Sequence, residues 1–125
     1  LENKKISILG LTFKPETDDL RSSPALDAIR ILLQKNANVS AFDPIFKSKS
    51  NLKELPDECN VCTSVEKALE NSDIALIFTK WEEFKSLNSN ILKQFMKNPI
   101  IIDGRGFLKK EKFDSGCYFK IGFSE

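Results

Sequence analysis

The sequence has 125 residues and a net charge of +1, a length that suits one compact domain and leaves little room for a second. Hydrophobic residues at 41% supply a core, and charged residues at 30% are scattered instead of forming the basic stripe of a nucleic-acid binder. No apolar run approaches the roughly 18–20 residues that cross a bilayer.

The chain opens on Leu1 without an initiator Met, which points to a piece of a longer protein, and it passes into its first strand with no signal peptide. Ile6-Ser7-Ile8-Leu9 predicts a buried strand closed by Gly10. A long polar loop follows, and Ser23-Pro24 starts a helix, with Ser as N-cap and Pro at the first position, where its missing N–H costs nothing. Ala25, Leu26, Ile29, Leu32 and Leu33 share one face of that helix, which ends at Lys35-Asn36. Residues 39–42 predict a second strand stopped by Asp43-Pro44, and residues 47–56 are polar with room for one helical turn. Val61-Cys62 predicts a short third strand. Thr63 and Glu66 have capping-box spacing for a helix to about Glu70. Residues 74–78 form the most apolar strand, expected at the sheet centre. A short helix is expected after Trp81 and another around Ile91, Leu92, Phe95 and Met96. Residues 100–102 predict a fifth strand running into Asp103-Gly104-Arg105, and residues 118–121 an edge strand. Strands alternating with helices predict a three-layer α/β sandwich with a mainly parallel sheet of five to six strands, covered on both faces.

Cys59-Asn60-Val61-Cys62 is formally a C-x-x-C. With no His and only Cys117 besides, it falls short of a zinc site, and it sits on a strand and not at a helix start. Unreactive reduced thiols in a cytoplasmic protein are expected.

Ligands of open parallel sheets bind beyond the carboxyl ends of the strands. After the first strand come Gly10, Thr12, Phe13 and Lys14, then Thr17, Asp18, Asp19 and Arg21. Asp43 follows the second, Thr79, Lys80 and Trp81 the fourth, and Arg105 the fifth. The first loop exceeds the usual 2–6 residues or so, and it feeds a helix N-terminus, where N–H groups and the dipole favour anions. That suits a phosphate or diphosphate, with Lys14 as a ligand. Asp18 and Asp19 read more simply as partners of Arg21 that shape the loop. Arg105 either grips phosphate or carboxylate oxygens through two hydrogen bonds or pairs with a nearby Asp, and the residues alone leave both open. Trp81 and Phe84 offer an aromatic wall, although core packing is the commoner fate of such a pair. Gly10-Leu11-Thr12-Phe13 is not the G-x-G-x-x-G of a dinucleotide site, so Asp43 reads as a strand-end cap and not as a ribose ligand. With no His, no Cys near a base and no paired carboxylates, the residues describe an anion-binding α/β domain without a complete catalytic set.

Four motifs in order carry a resemblance over nearly the whole chain. They are residues 10–21 (GLTFKPETDDLR) followed by Ser23-Pro24-Ala25, then Ala41-Phe42-Asp43-Pro44, residues 72–84 (SDIALIFTKWEEF), and residues 101–105 (IIDGR). They resemble the C-terminal domain of the UDP-glucose/GDP-mannose dehydrogenases. The resemblance implies a Rossmann-like fold without the dinucleotide fingerprint, in an enzyme with an N-terminal NAD-binding domain and a central helical dimerisation region. Such enzymes oxidise the sugar C6 alcohol of a nucleotide sugar to a carboxylate in two hydride transfers to NAD, through a Cys in the preceding segment. Nothing around Cys59, Cys62 or Cys117 resembles that Cys motif.

The resemblance further implies that Phe13 and Lys14 contact the nucleotide sugar and that Arg105 helps hold it. Arg21 reaches toward the pyrophosphate of an NAD bound mainly by the N-terminal domain, while Pro24 and Asp103 shape the site without touching ligand. The implied partners are the nucleotide-sugar substrate and the N-terminal catalytic half, within a cytoplasmic homodimer that serves polysaccharide synthesis. Residues 81–84 (WEEF) resemble the UDP-glucose branch. The family's Arg-Glu-Ser-Pro is here Arg21-Ser22-Ser23-Pro24, which changes the pairing open to Arg21. The expected role is a nucleotide-sugar half-site that performs no oxidation alone. The rivals are a receiver-like signalling domain, whose acidic cluster, phosphorylatable Asp and Lys have no counterpart here, and a free-standing nucleotide-sugar-binding module.

Overall fold

The computed structural model describes residues 2–11, 23–44 and 55–121. Six strands form one sheet: β1 (Lys5–Leu9), β2 (Asn38–Phe42), β3 (Asn60–Val61), β4 (Ile74–Ile77), β5 (Ile101–Asp103) and β6 (Tyr118–Lys120). Their order is β3-β2-β1-β4-β5-β6. Every neighbouring pair is parallel, β6 included. Three α-helices, α1 (Pro24–Gln34), α2 (Val65–Leu69) and α3 (Ser89–Phe95), and two short 3-10 turns connect them. The expected parallel α/β sandwich is therefore present, with six strands, and β4 lies beside β1 at the centre. The order is that of the doubly wound dinucleotide-binding folds, whereas receivers have the order 2-1-3-4-5. The topology therefore removes the receiver reading.

Alternation along the strands makes two cores. Ile6, Ile8, Val39 and Ala41 face α1, where Ala25, Leu26 and Ile29 pack on them. Leu9, Phe42, Ala75, Ile77 and Ile101 face the other way, onto Ala68 and Leu69 of α2 and Leu92 of α3. Each fully buried Ile or Leu contributes about 1.5–3 kcal/mol. Ser7 interrupts this apolar pattern in the middle of the sheet without being left unsatisfied. It is fully buried, and its Oγ donates to Ala68 O at 2.5 Å and meets Ser72 Oγ. Among the described residues no helix is long and apolar enough to cross a membrane.

Ser23 caps α1 as its sequence predicts, accepting from Leu26 N at 3.3 Å, with Pro24 next. The helix closes at Asn36, whose φ of 64° is a left-handed conformation that Asn tolerates. One cap differs from expectation. The N-cap of α2 is Ser64, whose Oγ accepts from Lys67 N at 3.1 Å, so the cap falls one residue beyond Thr63. Two adjacent hydroxyl residues make either register legible, and only the extended backbone at Ser64 (φ −150°, ψ 160°) decides between them. The helical turn expected in residues 47–56 falls mostly outside the described residues.

Candidate functional site

All six strands point the same way, so their carboxyl ends form one rim. β1 lies between β2 and β4, where the chain order reverses, and such a switch point is where open α/β sheets bind ligands. Gly10 ends β1 there with φ 92°. A Cβ on it would sit 2.5 Å from Thr79 Oγ1 and 2.9 Å from Thr79 N, so both the conformation and the close approach of the loop after β4 demand glycine.

The loops around the switch point are tied together by buried polar groups. Asp43, fully buried after β2, accepts from Leu11 N at 2.8 Å and from Trp81 Nε1 at 3.2 Å. It therefore links the loops after β1, β2 and β4, as a strand-end cap should. Ser23 Oγ donates to Leu11 O at 2.5 Å, so the residues that flank positions 12–22 are tied together beside the switch point. Phe84 is buried with its ring edge-on to Phe42 at 6.4 Å, and Trp81 packs against the same core. Core packing is thus what these two aromatics do.

The turn after β5 is built on Asp103, also fully buried. Its Oδ1 accepts from Arg105 N at 3.0 Å. Its Oδ2 accepts from Phe107 N and Leu108 N at 2.7 Å and from Tyr118 Oη at 2.8 Å. Gly104 N donates to Ile77 O at 3.0 Å, fastening this turn to β4. The half-buried Arg105 is thereby held at the rim by its backbone. Burial, the hydrogen bond to Asp103 and that carboxylate's charge together push the Tyr118 phenol above its ordinary pKa, which keeps it a donor.

Phe13, Lys14 and Arg21 lie within residues 12–22, outside the described residues, so Arg105 is the expected ligand residue whose surroundings are described. The sequence reading missed the roles of Tyr118 and of Ser23 beyond its cap. Tyr118 is the only Tyr in the chain and sits in a strand, where nothing local announces its partner.

Two cavities lie elsewhere on the described surface. One of about 560 Å³ opens at the opposite end of the sheet, between Arg30, Asn36, Asn38, Glu58 and Asn60. Another, of about 350 Å³, lies past β2 and carries Glu66 and Glu83, charges that repel an anion. Strand polarity and the placement of Arg105 favour the switch point over either. Cys59 and Cys62 are separated by the sheet itself: Cys59 belongs to the α1 core, whereas Cys62, like Cys117, packs on the other. Burial above all raises the Cys62 thiol's pKa, so it stays protonated and unreactive. Among the described residues no group of three or more His, Cys, Asp or Glu side chains is arranged to hold a metal.

The family profile described as UDP-glucose/GDP-mannose dehydrogenase family, UDP binding domain, matches residues 7–110, from β1 through the Arg105 turn. The chain belongs to the UDP-glucose/GDP-mannose dehydrogenase family. Among its curated relatives in this family, the UDP-glucose 6-dehydrogenase TuaD of Bacillus subtilis is 40% identical over 94% of this chain and 25% of its own length. The UDP-glucose 6-dehydrogenase of Rickettsia conorii is 43% identical over 98% of this chain and 27% of its own. Of solved structures in the family, the UDP-D-ManNAc dehydrogenase of Pyrococcus horikoshii superimposes with a TM-score of 0.72 at 31% identity, covering 96% of this chain and 26% of that one. The UDP-glucose dehydrogenase of Pyrobaculum islandicum gives 0.73 at 26% identity, covering 98% and 26%. The chain spans about a quarter of the length of the curated relatives it matches.

The described start of the first βα connection, Gly10 and Leu11, does not fit an NAD pyrophosphate. A dinucleotide site there needs glycines so that the pyrophosphate can approach the backbone. Here Leu11 is buried, and its N–H is already taken by the Asp43 carboxylate, whose charge opposes a pyrophosphate.

Proposed function

We propose that this chain is the nucleotide-sugar half-site of an NAD-dependent UDP-glucose 6-dehydrogenase, one part of a longer cytoplasmic enzyme of polysaccharide synthesis. Lys14 and Arg105 hold the nucleotide sugar by charge and hydrogen bonds, and Phe13 packs beside it. Arg21 reaches across the cleft toward an NAD held elsewhere in the enzyme. The oxidation of the sugar C6 alcohol to a carboxylate, and the Cys that carries it, belong to the preceding part of the polypeptide. That part also supplies the contacts of a homodimer. In this reading UDP-glucose is converted to UDP-glucuronate, and the 125-residue chain alone binds without turning over.

The observation that carries this reading is the Asp103-built turn. It fixes Arg105 on the carboxyl rim of a doubly wound sheet, the same rim that carries the switch point and the joined Leu11 and Ser23 that flank Lys14 in the sequence. A guanidinium so placed presents a fork that matches phosphate or carboxylate oxygens. The nearby Asp103 carboxylate is committed to turn N–H groups and to Tyr118.

Titration of the chain with UDP-glucose, UDP and GDP-mannose, followed by amide NMR, tests it. Shifts at Phe13, Lys14 and Arg105 are expected, strongest for the uridine nucleotides and lost in Lys14→Ala. No shift up to millimolar ligand, or reduction of NAD⁺ by the chain alone, overturns the reading.

A further inference from the structure

The rim carries a second cation at its far edge. Lys120 is the last residue of β6, in register with Asp103, and Ile121 N donates to Asp103 O at 3.1 Å. The ends of β5 and β6 therefore finish side by side. Gly106 follows Arg105 with φ 61°, and the Lys120 side chain lies against it. A Cβ on Gly106 would sit 2.6 Å from Lys120 Cε and 3.4 Å from its Nζ. The lysine stem thus crosses the turn that presents Arg105, occupying space that any other residue at 106 would fill. Nearby negative charge does not consume this ammonium. The Asp103 oxygens receive three N–H groups and the Tyr118 hydroxyl. The ion pairs among the described residues are Lys85 with Glu82 and Lys93 with Asp114, so Lys120 faces no carboxylate in that set.

We propose that Lys120 is a further ligand-binding residue, a second cation for the diphosphate of the nucleotide, delivered over the Arg105 turn through the gap at Gly106. The inference rests on the nucleotide-sugar reading and adds a residue to it. A diphosphate presents several anionic oxygens, more than one guanidinium fork can satisfy. An ammonium on a flexible stem complements Arg105 as a rotatable point charge. Lys120 is solvent-exposed, so its contribution is moderate and falls with salt.

The test is the affinity of the whole chain for UDP, by NMR titration or calorimetry, in the Lys120→Met and Lys120→Arg variants. Lys120→Met keeps the stem on Gly106 and removes the charge. It is expected to weaken UDP binding about three- to tenfold with the melting temperature little changed, while Lys120→Arg stays within about twofold of the parent. Unchanged affinity in Lys120→Met overturns the proposal and leaves the nucleotide-sugar reading intact. Equal weakening in Lys120→Met and Lys120→Arg assigns the lysine a packing role and overturns it as well. If the parent chain fails to bind UDP, the nucleotide-sugar reading and this inference fall together.

Discussion

Asp43, one residue beyond β2, and Asp103, the last residue of β5, both stand at carboxyl strand ends and are fully buried, yet they organise the rim differently. Asp103 works mainly on its own turn, gathering the N–H groups of Arg105, Phe107 and Leu108, with Tyr118 as its one distant partner. Asp43 reaches outward, to Leu11 32 residues before it and to Trp81 38 residues after it. The residues that follow explain the contrast. Pro44 has no N–H to fold back onto a carboxylate, whereas Gly106, with φ 61°, lets the chain curl so that the Phe107 and Leu108 amides return to Asp103. Residue type and burial make both of them anchors, and the neighbouring backbone decides what each one anchors.

The largest effect is expected from Asp103→Ala, which strands four donors. A loss of about 3 kcal/mol in urea unfolding should accompany faster amide exchange at Arg105, Phe107 and Leu108, with Leu11 still protected. Faster exchange at Leu11 as well would break the distinction between a local and a bridging anchor. Asp43→Ala should cost about 2 kcal/mol and change the Trp81 fluorescence as its indole N–H loses a partner, with exchange in the Arg105 turn unaltered.

Tyr118→Phe sharpens the comparison at its one non-local point in the Asp103 turn, with a loss of about 1 kcal/mol at neutral pH. Its pH dependence has a definite sign. Because the folded phenol holds its proton above the usual pKa of 10.0, its contribution is complete below that pH. As pH rises further the unfolded chain ionises first, and the contribution is lost. The parent's stability should therefore fall more steeply above about pH 10 than that of Tyr118→Phe. Parallel profiles would show that the phenol does not titrate differently on folding.

The layered fold was legible because its signals are local: apolar runs of strand length, the Ser23-Pro24 start, the Asn36 stop. The switch point was legible in part, since Gly10, Asp43 and the 103–105 turn stand at strand ends where chemistry is expected, and the rim brings those strand ends together. What stayed hidden depends on distant partners. Nothing near Gly10 says that Thr79 will press against it, and nothing near Tyr118 points to Asp103. Lys120 gives no local signal of a site, because it ends an edge strand, where a lysine is ordinarily a solvated guard against pairing. The choice of Ser64 over Thr63 as a cap shows the limit of a spacing rule when two residues satisfy it.

The position of β1 has a consequence for how the chain is made. Among the six strands of this sheet, β1 is synthesised first and sits in the middle, and its amide at Lys5 bonds to Asp73, 68 residues later. Because parallel partners cannot form by a simple hairpin, one side of β1 stays open until synthesis has passed Ile77. This domain therefore carries an apolar, half-paired strand while the segment from β1 to β4 is being made, and it is during that interval that it is most exposed to wrong pairing.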